Sequence, residues 1–381
     1  MTAGAVVVVG GGVIGLSSAW RLAQRGAAVT VVDADPAAAA SDVAAGMLAP
    51  VTEARLGDEP LLALNRASWA QWPDFAAEVA SAAGRPIGYR SDGTLVVALD
   101  ADDRAALDDL AARHRVMGLD VTPLRGREAR ALEPGLAPGT RAGLLAAGER
   151  SVDPPALVAA LRVAASSAGA SLVDGTVASI LAAGDGVSGV ELAGGERLDA
   201  ATVVLAAGCR SGSIDGVPGA ARPPVRPVKG QILTLRQDPA DPLVSRTVRG
   251  LVRGSSVYLV PRDDGRVVVG ATVEERGWDR RATAGGAYEI LRDALALVPG
   301  LDDAELVAVR TGLRPGSPDD LPMVGPSAVP GLVVATGHHR NGILLTPITA
   351  AAVAAAVLGE PAPAEVVPCD PRRFAPAEAR S

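Results

Sequence analysis

The apolar positions fall into short continuous runs at the start, middle and end of the chain, with alternating stretches between them. Residues 5–9 form a β-branched apolar run of the kind buried in a parallel sheet. A helix is expected from about Val13 to Arg25, closed by Gly26 as a C-cap, with a second strand at 29–32. A stretch of small residues at 37–49 follows. Glu59–Ala83 reads as a long helix carrying Leu61, Leu62, Leu64, Trp69 and Trp72, which Pro73 should kink or divide. Residues 95–99 are strand-like, and 101–117 form a charged amphipathic helix on which His114 is expected at the surface. Residues 154–168 read as a helix with Pro154 and Pro155 in its first turn. Short strands are expected at 171–173, 177–181 and 187–192, with a hairpin turn at Gly194 and Gly195. Residues 201–205 form a buried strand running into Ala206, Ala207 and Gly208.

From Pro223 the texture becomes antiparallel. Strands are expected at 230–235, 257–260 and 267–269, the last two joined through Asp263, Asp264 and Gly265. A helix at 287–297, a buried strand at 332–335 and an alanine-rich helix at 343–358 complete the pattern. The tail from Pro361 is rich in proline and alanine, and is expected to be flexible. The fold class is therefore α/β. A doubly wound, Rossmann-type nucleotide domain would use 1–84, 146–222 and 318–360. An antiparallel-sheet α+β substrate domain would use 85–145 and 223–317, leaving 361–381 as the tail.

The first βα junction carries the clearest chemistry. Gly10, Gly12 and Gly15 give G-x-G-x-x-G around Val13 and Ile14. The first glycine permits the turn, the second leaves room for a pyrophosphate, and the third lets helix and strand pack closely. The helix N-terminus offers free N–H groups to phosphate. Asp33, followed by Ala34, ends the second strand, where its carboxylate can accept bonds from two ribose hydroxyls.

Composition narrows the alternatives. A chain of 381 residues exceeds what one core usually serves. With 48% hydrophobic residues a sizeable core can be buried, while aromatics are only 2%, so each aromatic is informative. A net charge of −7 without a basic block argues against nucleic acid. Cys209 and Cys369 lie far apart without metal spacing, which fits a reducing compartment. His114, His338 and His339 are the only histidines, so no metal centre is expected. No G-x-S-x-G is present. The N-terminus has no signal-peptide pattern, and its apolar run is too short to span a bilayer, so a cytoplasmic protein without a membrane partner is expected.

A second glycine-bounded turn lies near the C-terminus, where Gly337, His338, His339, Arg340, Asn341, Gly342, Ile343 and Leu344 lead from the last strand into the last helix. Such a helix N-terminus at the carboxyl edge of the sheet suits a second, partly anionic end of a long cofactor, as in a reduced flavin. An extended FAD needs this closing segment, whereas NAD does not. Together with Gly-Leu-Arg-Pro-Gly at 312–316 and Ala-Ala-Gly-Met-Leu-Ala-Pro at 44–50, the chain resembles the glycine oxidases of the D-amino acid oxidase superfamily over roughly residues 4–359.

The resemblance implies FAD held noncovalently. It places Ala45, Gly46, Met47 and Leu48 along the flavin, with Ser41 and Asp42 just before, a backbone contact to adenine from Val177, and Ala207 and Gly208 at the sheet edge. Met47 could equally be core filler. Arg314 is the residue on which the family's carboxylate-binding arginine falls, and a guanidinium matches a carboxylate bidentately. An ion pair with Asp319 or Asp320 is the bland alternative. Tyr258 and Arg340 match positions near the substrate, with surface packing and a clamp on the turn as their alternatives. Ser256 stands where some relatives carry a polar aromatic, and Lys229 in Pro-Val-Lys-Gly-Gln recurs in relatives without a clear role, a surface lysine at the strand entry being its alternative. The implied activity is FAD-dependent oxidation of glycine, or of sarcosine or small D-amino acids, by hydride transfer to flavin N5, giving imine, then glyoxylate and ammonia, with hydrogen peroxide from oxygen. Hand-over of the imine to a thiazole synthase in thiamine biosynthesis, and a homo-oligomer such as a homotetramer, are further implications. The rivals are a flavin dehydrogenase with a non-oxygen acceptor, an NAD(P) dehydrogenase and a noncatalytic flavoprotein.

Overall fold

A computed structural model describes residues 4–34 and 40–375. The residues of the small-residue stretch at 37–39 and of the tail at 376–381 lie outside the described part. The first sheet has six strands in the order Met323–Pro326, Leu332–Thr336, Thr202–Leu205, Val6–Val9, Val29–Asp33 and Ser171–Asp174. Its neighbours are parallel except at Met323–Pro326, which runs antiparallel to Leu332–Thr336. Side chains alternate between the two faces of a strand. Val6 and Val8 pack against the helices Val13–Gln24, Glu59–Ala83, Pro154–Ser167 and Thr346–Leu358. Val7, Val9, Val203 and Leu205 pack instead against a small antiparallel sheet formed by Val177–Ala183, Gly186–Leu192 and Arg197–Asp199.

The second large sheet has eight strands. Their order is Glu305–Gly316, Arg226–Arg236, Arg266–Gly270, Ser255–Pro261, Thr247–Val252, Thr94–Ala98, Ala142–Ala146 and Thr122–Arg125. Pairing is antiparallel except between Thr247–Val252 and Thr94–Ala98. Leu233, Leu235, Val248, Val257, Leu259, Val267 and Val269 form one face with the helix Ala284–Leu297 against it. The register puts a different set on the other face. Arg249 pairs Tyr258, Tyr258 pairs Gly270, and Gly270 pairs Ile232. Two and four residues along, Gly230 pairs Gly312 and Val228 pairs Arg314. Ile232, Val260 and Val268 on this face pack against Ala45, with Val43, Met47 and Tyr258 beside them.

Four expectations need correction. The helix Glu59–Ala83 has its expected bounds and continues through Pro73 as one element, so Pro73 does not divide it. Proline has no N–H for the carbonyl four residues earlier. That carbonyl, on Trp69, instead accepts from Arg150 Nη1 at 2.9 Å, with the guanidinium 3.9 Å above the Trp69 ring. His114 is buried, not at the surface. Leu107, Ala111 and His114 recur at helical spacing and share the inward face of Ala101–Val116. The last helix starts at Thr346, with Pro347 in its first turn, where a missing N–H costs no intrahelical bond. Residues His339–Asn341 form a separate 3₁₀ turn.

The flexible tail is the fourth. Ala364–Cys369 and Pro371–Phe374 are 3₁₀ turns, and Val366 and Cys369 join the core around Glu59–Ala83. Arg373 anchors this segment to Asp319 at 2.8 Å. Among the described residues no helix is long and apolar enough to cross a membrane.

Candidate active site

The glycines of the first turn differ in what surrounds them. Gly10 has φ +109°, and a Cβ there would lie 2.5 Å from Ala206 O. At Gly15 a Cβ would run into the carbonyl of Gly10. At Gly12 the nearest atom would be Ser41 Oγ at 3.5 Å, an ordinary contact, so a Cβ fits here without a clash. The helix Val13–Gln24 begins at Gly12 with no side-chain cap and no acid in its first turn. Ser41 Oγ accepts from Val13 N at 3.2 Å, which ties the turn to the segment Ala40–Val43. The first-turn N–H groups have no intrahelical partners, so this end is suited to an anion.

Asp33 Oδ2 is buried and has no hydrogen-bond partner among the described residues. An unpartnered buried acceptor at the end of the second strand fits a ribose hydroxyl. Gly175 N donates to Asp33 O at 2.9 Å, bringing Val177, at the start of its strand, to the same sheet edge. Ala34, next to Asp33, is exposed. Gly208 lies at φ +54° after the strand Thr202–Leu205 and Ala207, and its carbonyl accepts from Thr336 Oγ1 at 2.9 Å. No α-helix follows this second junction, only the 3₁₀ turn Gly208–Gly212.

The C-terminal turn closes the other end of the same edge. Gly337 has φ +79°, and His338 bridges Gly316 at the end of the long strand Glu305–Gly316. His338 is buried, its Nε2 lies 3.1 Å from Thr349 Oγ1, and burial pushes its pKa down to about 3. It is neutral at ordinary pH. His339 is also lowered, by burial first and then by the positive charge of Arg314. Asn341 and Leu345 are joined by a backbone bond at 2.8 Å across Gly342 and Ile343. Ile343 and Leu344 point into the core, where Leu344 O accepts from Ser68 Oγ at 2.7 Å and Trp72 Nε1 at 2.8 Å.

Between these ends lies the open face of the eight-stranded sheet. Arg314 Nη1 donates to Thr272 O at 3.2 Å and to Lys229 O at 3.4 Å. Its guanidinium lies where a side chain on Gly230 would be, since a Cβ there would stand 2.5 Å from Cζ. Tyr258 lies over Gly270 in the same way, with a Cβ there 2.5 Å from its Cζ. Burial pushes the Tyr258 hydroxyl up to about 12, against the opposing pull of Arg314. Neither Asp319 nor Asp320 holds Arg314. Asp319 pairs with Arg373, and Asp320 lies 3.9 Å from His339 Nδ1.

Arg340 joins this face through Glu53, with Nε 3.6 Å from Oε2 and Nη2 donating to the Glu53 carbonyl at 3.5 Å. Burial lowers the Arg340 pKa, partly offset by Glu53. Arg249, directly opposite Tyr258, reaches Glu53 Oε1 and Thr52 Oγ1, each at 3.2 Å. Glu149 is fully buried and receives Thr52 N at 2.6 Å, Val51 N at 2.9 Å and Thr52 Oγ1 at 2.9 Å. Burial raises its pKa in spite of those bonds. Glu53, Arg249 and Glu149 were not identified from the sequence. Glu53 stands three residues beyond the 44–50 motif, and that proximity was the only available signal.

The flavin-side candidates split in two. Ala45 O accepts from Arg262 Nη2 at 2.5 Å, and Met47 packs with Val43 and Tyr258 on the site face. Leu48 faces the core of the other sheet. Gly46 has φ +77° and a Cβ there would strike Val152 O. Asp42 lies in the 3₁₀ turn with Ser41. Ser256, two residues before Tyr258, is exposed and lines an open cavity of about 720 Å³ beyond the end of Arg266–Gly270.

Proteins of known kind resemble this chain in sequence and fold. The sequence matches the family model of the DAO, FAD-dependent oxidoreductases over residues 5–356. It is 34% identical to the bifunctional protein ThiO/ThiG of Synechocystis over 97% of this chain and 54% of that protein, so it spans about half the length of that relative. It is 36% identical to the glycine oxidase of Geobacillus kaustophilus over 92% of this chain and 91% of that enzyme. The crystal structure of that glycine oxidase superposes with a TM-score of 0.88, at 34% identity, covering 97% of this chain and 98% of the other. A glycine turn at a helix N-terminus, an aspartate with an unpartnered buried oxygen and a closing C-terminal turn on one sheet edge are thus set in a chain that belongs to the DAO family of FAD-dependent oxidoreductases.

Proposed function

We propose that this protein is a glycine oxidase, with sarcosine and small D-amino acids as further candidate substrates. The observation that carries the reading is the Arg314 guanidinium, laid over Gly230 on the same sheet face as Tyr258, the face against which Ala45 and Met47 pack. FAD, when bound, supplies the hydride acceptor. Gly10, Gly12, Val13, Ile14, Gly15 and Asp33 would hold its adenosine and pyrophosphate, with Ser41 fixing the turn. Met47, Gly337 and the 338–344 turn would hold the flavin end.

Arg314 has five N–H donors in a planar fork, and its two carbonyl partners both use Nη1. The remaining edge is free to take a substrate carboxylate through two parallel bonds. Tyr258, protonated at any physiological pH, donates a further bond to the same carboxylate. Glu53 orients Arg340 and Arg249 at the rim. A carboxylate fixed in this way presents the substrate's Cα–H at a defined position, and proximity supplies much of the rate. His338 is neutral and engaged with Thr349, so it fixes the turn and does not act as the base.

Noncovalent FAD is supported by both cysteines. Cys209 donates to Leu313 O at 3.3 Å and burial pushes its thiol up to about 12, while Cys369 is raised to about 11 and lies in the core. A reducing cytoplasmic location, a homo-oligomer and delivery of the imine to a thiazole synthase complete the reading. The decisive experiment is an anaerobic flavin-reduction screen with glycine, sarcosine and D- and L-amino acids, followed by hydrogen peroxide measurement on admitting oxygen. Glycine should bleach the flavin and yield stoichiometric peroxide. Bleaching without peroxide would point to another electron acceptor, and failure of every amine would refute the assignment.

A further inference from the structure

Lys229 is fully buried, and its side chain points to the sheet face opposite Arg314. Its Nζ lies 3.3 Å from Glu274 Oε2, an ion-pair distance without hydrogen-bond alignment. Burying such a charge is costly unless it fixes something. The backbones of Lys229 and Glu274 exchange two bonds, each 2.9 Å. Gln231 N donates to Thr272 Oγ1 at 2.9 Å, and Thr272 N returns a bond to Gln231 O at 3.2 Å. Glu274 Oε1 then accepts from Gln231 Nε2 and from Thr272 Oγ1, both at 2.7 Å. Gln231 is itself clamped to the cap of the helix Ala284–Leu297, accepting from Thr283 N at 2.7 Å and donating to Thr283 Oγ1 at 2.9 Å. The network therefore fixes two carbonyls, those of Lys229 and Thr272. They are the same two that receive Arg314.

We propose that Lys229, Gln231, Thr272 and Glu274 are a positioning set for Arg314, fixing the two carbonyls that aim its guanidinium and so setting affinity for the substrate carboxylate. The proposal rests on the reading of Arg314 as the carboxylate anchor. Lys229→Met keeps the length of the stem and removes the charge that faces Glu274. The segment 271–274 then loses one of its ties to the strand Arg226–Arg236, and Thr272 O is no longer held under Arg314. Glu274→Gln weakens the same network from the other side.

The test measures acetate binding to the FAD-loaded enzyme by calorimetry, alongside KM and kcat for glycine and for glycinamide, which lacks the carboxylate. Lys229→Met should weaken acetate and raise the glycine KM by about tenfold or more, the size expected for a disturbed charge-assisted contact. Glycine kcat, glycinamide KM and FAD affinity should stay within about threefold of the parent. In an Arg314→Ala background, Lys229→Met should change acetate affinity no further, since the two act through one contact. Equal losses for glycine and glycinamide, or independent losses in the double variant, would overturn the proposal in favour of a general packing role. Should Lys229→Met fail to fold, the same comparisons on Glu274→Gln decide it. If Arg314→Ala leaves acetate affinity unchanged, the anchor reading itself fails. If Arg314→Ala weakens acetate and neither network variant does, the positioning set alone fails.

Discussion

Gly230→Ala should cripple substrate binding without unfolding the protein. A Cβ at this position would lie 2.5 Å from Arg314 Cζ and closer still to both Nη atoms. Carbon atoms rest at about 3.5–4.0 Å, so the guanidinium must lift by about 1 Å. The clash is with the free end of a flexible side chain, and Gly230 lies in a regular strand without positive φ. Relief is therefore cheap, and the loss of glycine flexibility in the unfolded chain returns about 0.4–1 kcal/mol. A Tm change of no more than about 4 °C is expected for a chain of this size. The lifted guanidinium moves beyond reach of Thr272 O and Lys229 O, now 3.2 and 3.4 Å away. A misplacement of about 1 Å can cost on the order of 100-fold, and here it should appear in the glycine KM. The assay is steady-state peroxide release over a range of glycine concentrations, with FAD titration and a melting curve on the same preparation. Gly194→Ala, where a Cβ meets nothing within 4 Å, is the control. A glycine KM within twofold of the parent, with FAD bound and Tm unchanged, would refute the placement of the substrate carboxylate at Arg314.

Other variants probe the remaining parts. Gly12→Ala should leave the apoprotein folded, because a Cβ there meets only Ser41 Oγ at an ordinary contact distance, yet weaken FAD by at least about tenfold through contact with the pyrophosphate; fluorescence titration with FAD reads this. Gly15→Ala should fail to give folded protein at all, since its Cβ would meet the backbone carbonyl of Gly10 and not a movable side chain; circular dichroism of the soluble fraction is the check. Arg150→Ala should lower stability by about 2 kcal/mol in denaturant titration, because the Trp69 carbonyl freed by Pro73 loses its charged donor. Burial pushes against ionisation of Glu274, but bonds from Thr272 and Gln231 and the positive charge of Lys229 prevail and hold its pKa below the ordinary 4.5. The ionised form is then the one the fold favours, so its contribution is complete above about pH 4.5 and fades as pH falls. The Tm gap between the parent and Glu274→Gln should accordingly shrink on acidification from pH 6 toward 4, and a constant gap would refute the assigned sign.

What could be read in advance followed from local rules. The strands Val6–Val9 and Leu332–Thr336 are continuous apolar runs buried on both faces, and their glycine turns are spelled out beside them. The strand Glu305–Gly316 was missed because it is mostly half-exposed, with its apolar and polar residues in blocks and without the alternation that marks a strand with one buried face. Thr247–Val252 was missed for a related reason. Arg249 and Gly250 interrupt its apolar pattern, and both make sense only through partners far away in sequence: Glu53 for the arginine, and Leu297 lying over the glycine. Glu53 carries no local mark either, because its role comes from the arginines that converge on it from 196 and 287 positions away. His114 was misjudged by its neighbours' charges, although its spacing from Leu107 and Ala111 put it on the buried face.

The site face is shaped by missing side chains as much as by those present. Gly230, Gly270 and Gly312 lie on three strands of the eight-stranded sheet, all facing the same way. Glycine within a strand weakens it and adds nothing to the core, so three on one face call for a local reason. Each has one. Arg314 lies over Gly230, Tyr258 lies over Gly270, and Val43 of the turn joined to Val13 lies 3.0 Å from where a Cβ on Gly312 would be. The first two gaps let a guanidinium and a phenol lie against the sheet. The third lets the segment leading to Met47 approach the same face from the nucleotide side. With side chains at these three positions, Arg314 and Tyr258 would project outward and the segment would stand further off. The height at which Arg314 and Tyr258 lie on the sheet is therefore set by the glycines beneath them, and substitution of these glycines should change substrate affinity more than that of the apolar residues beside them.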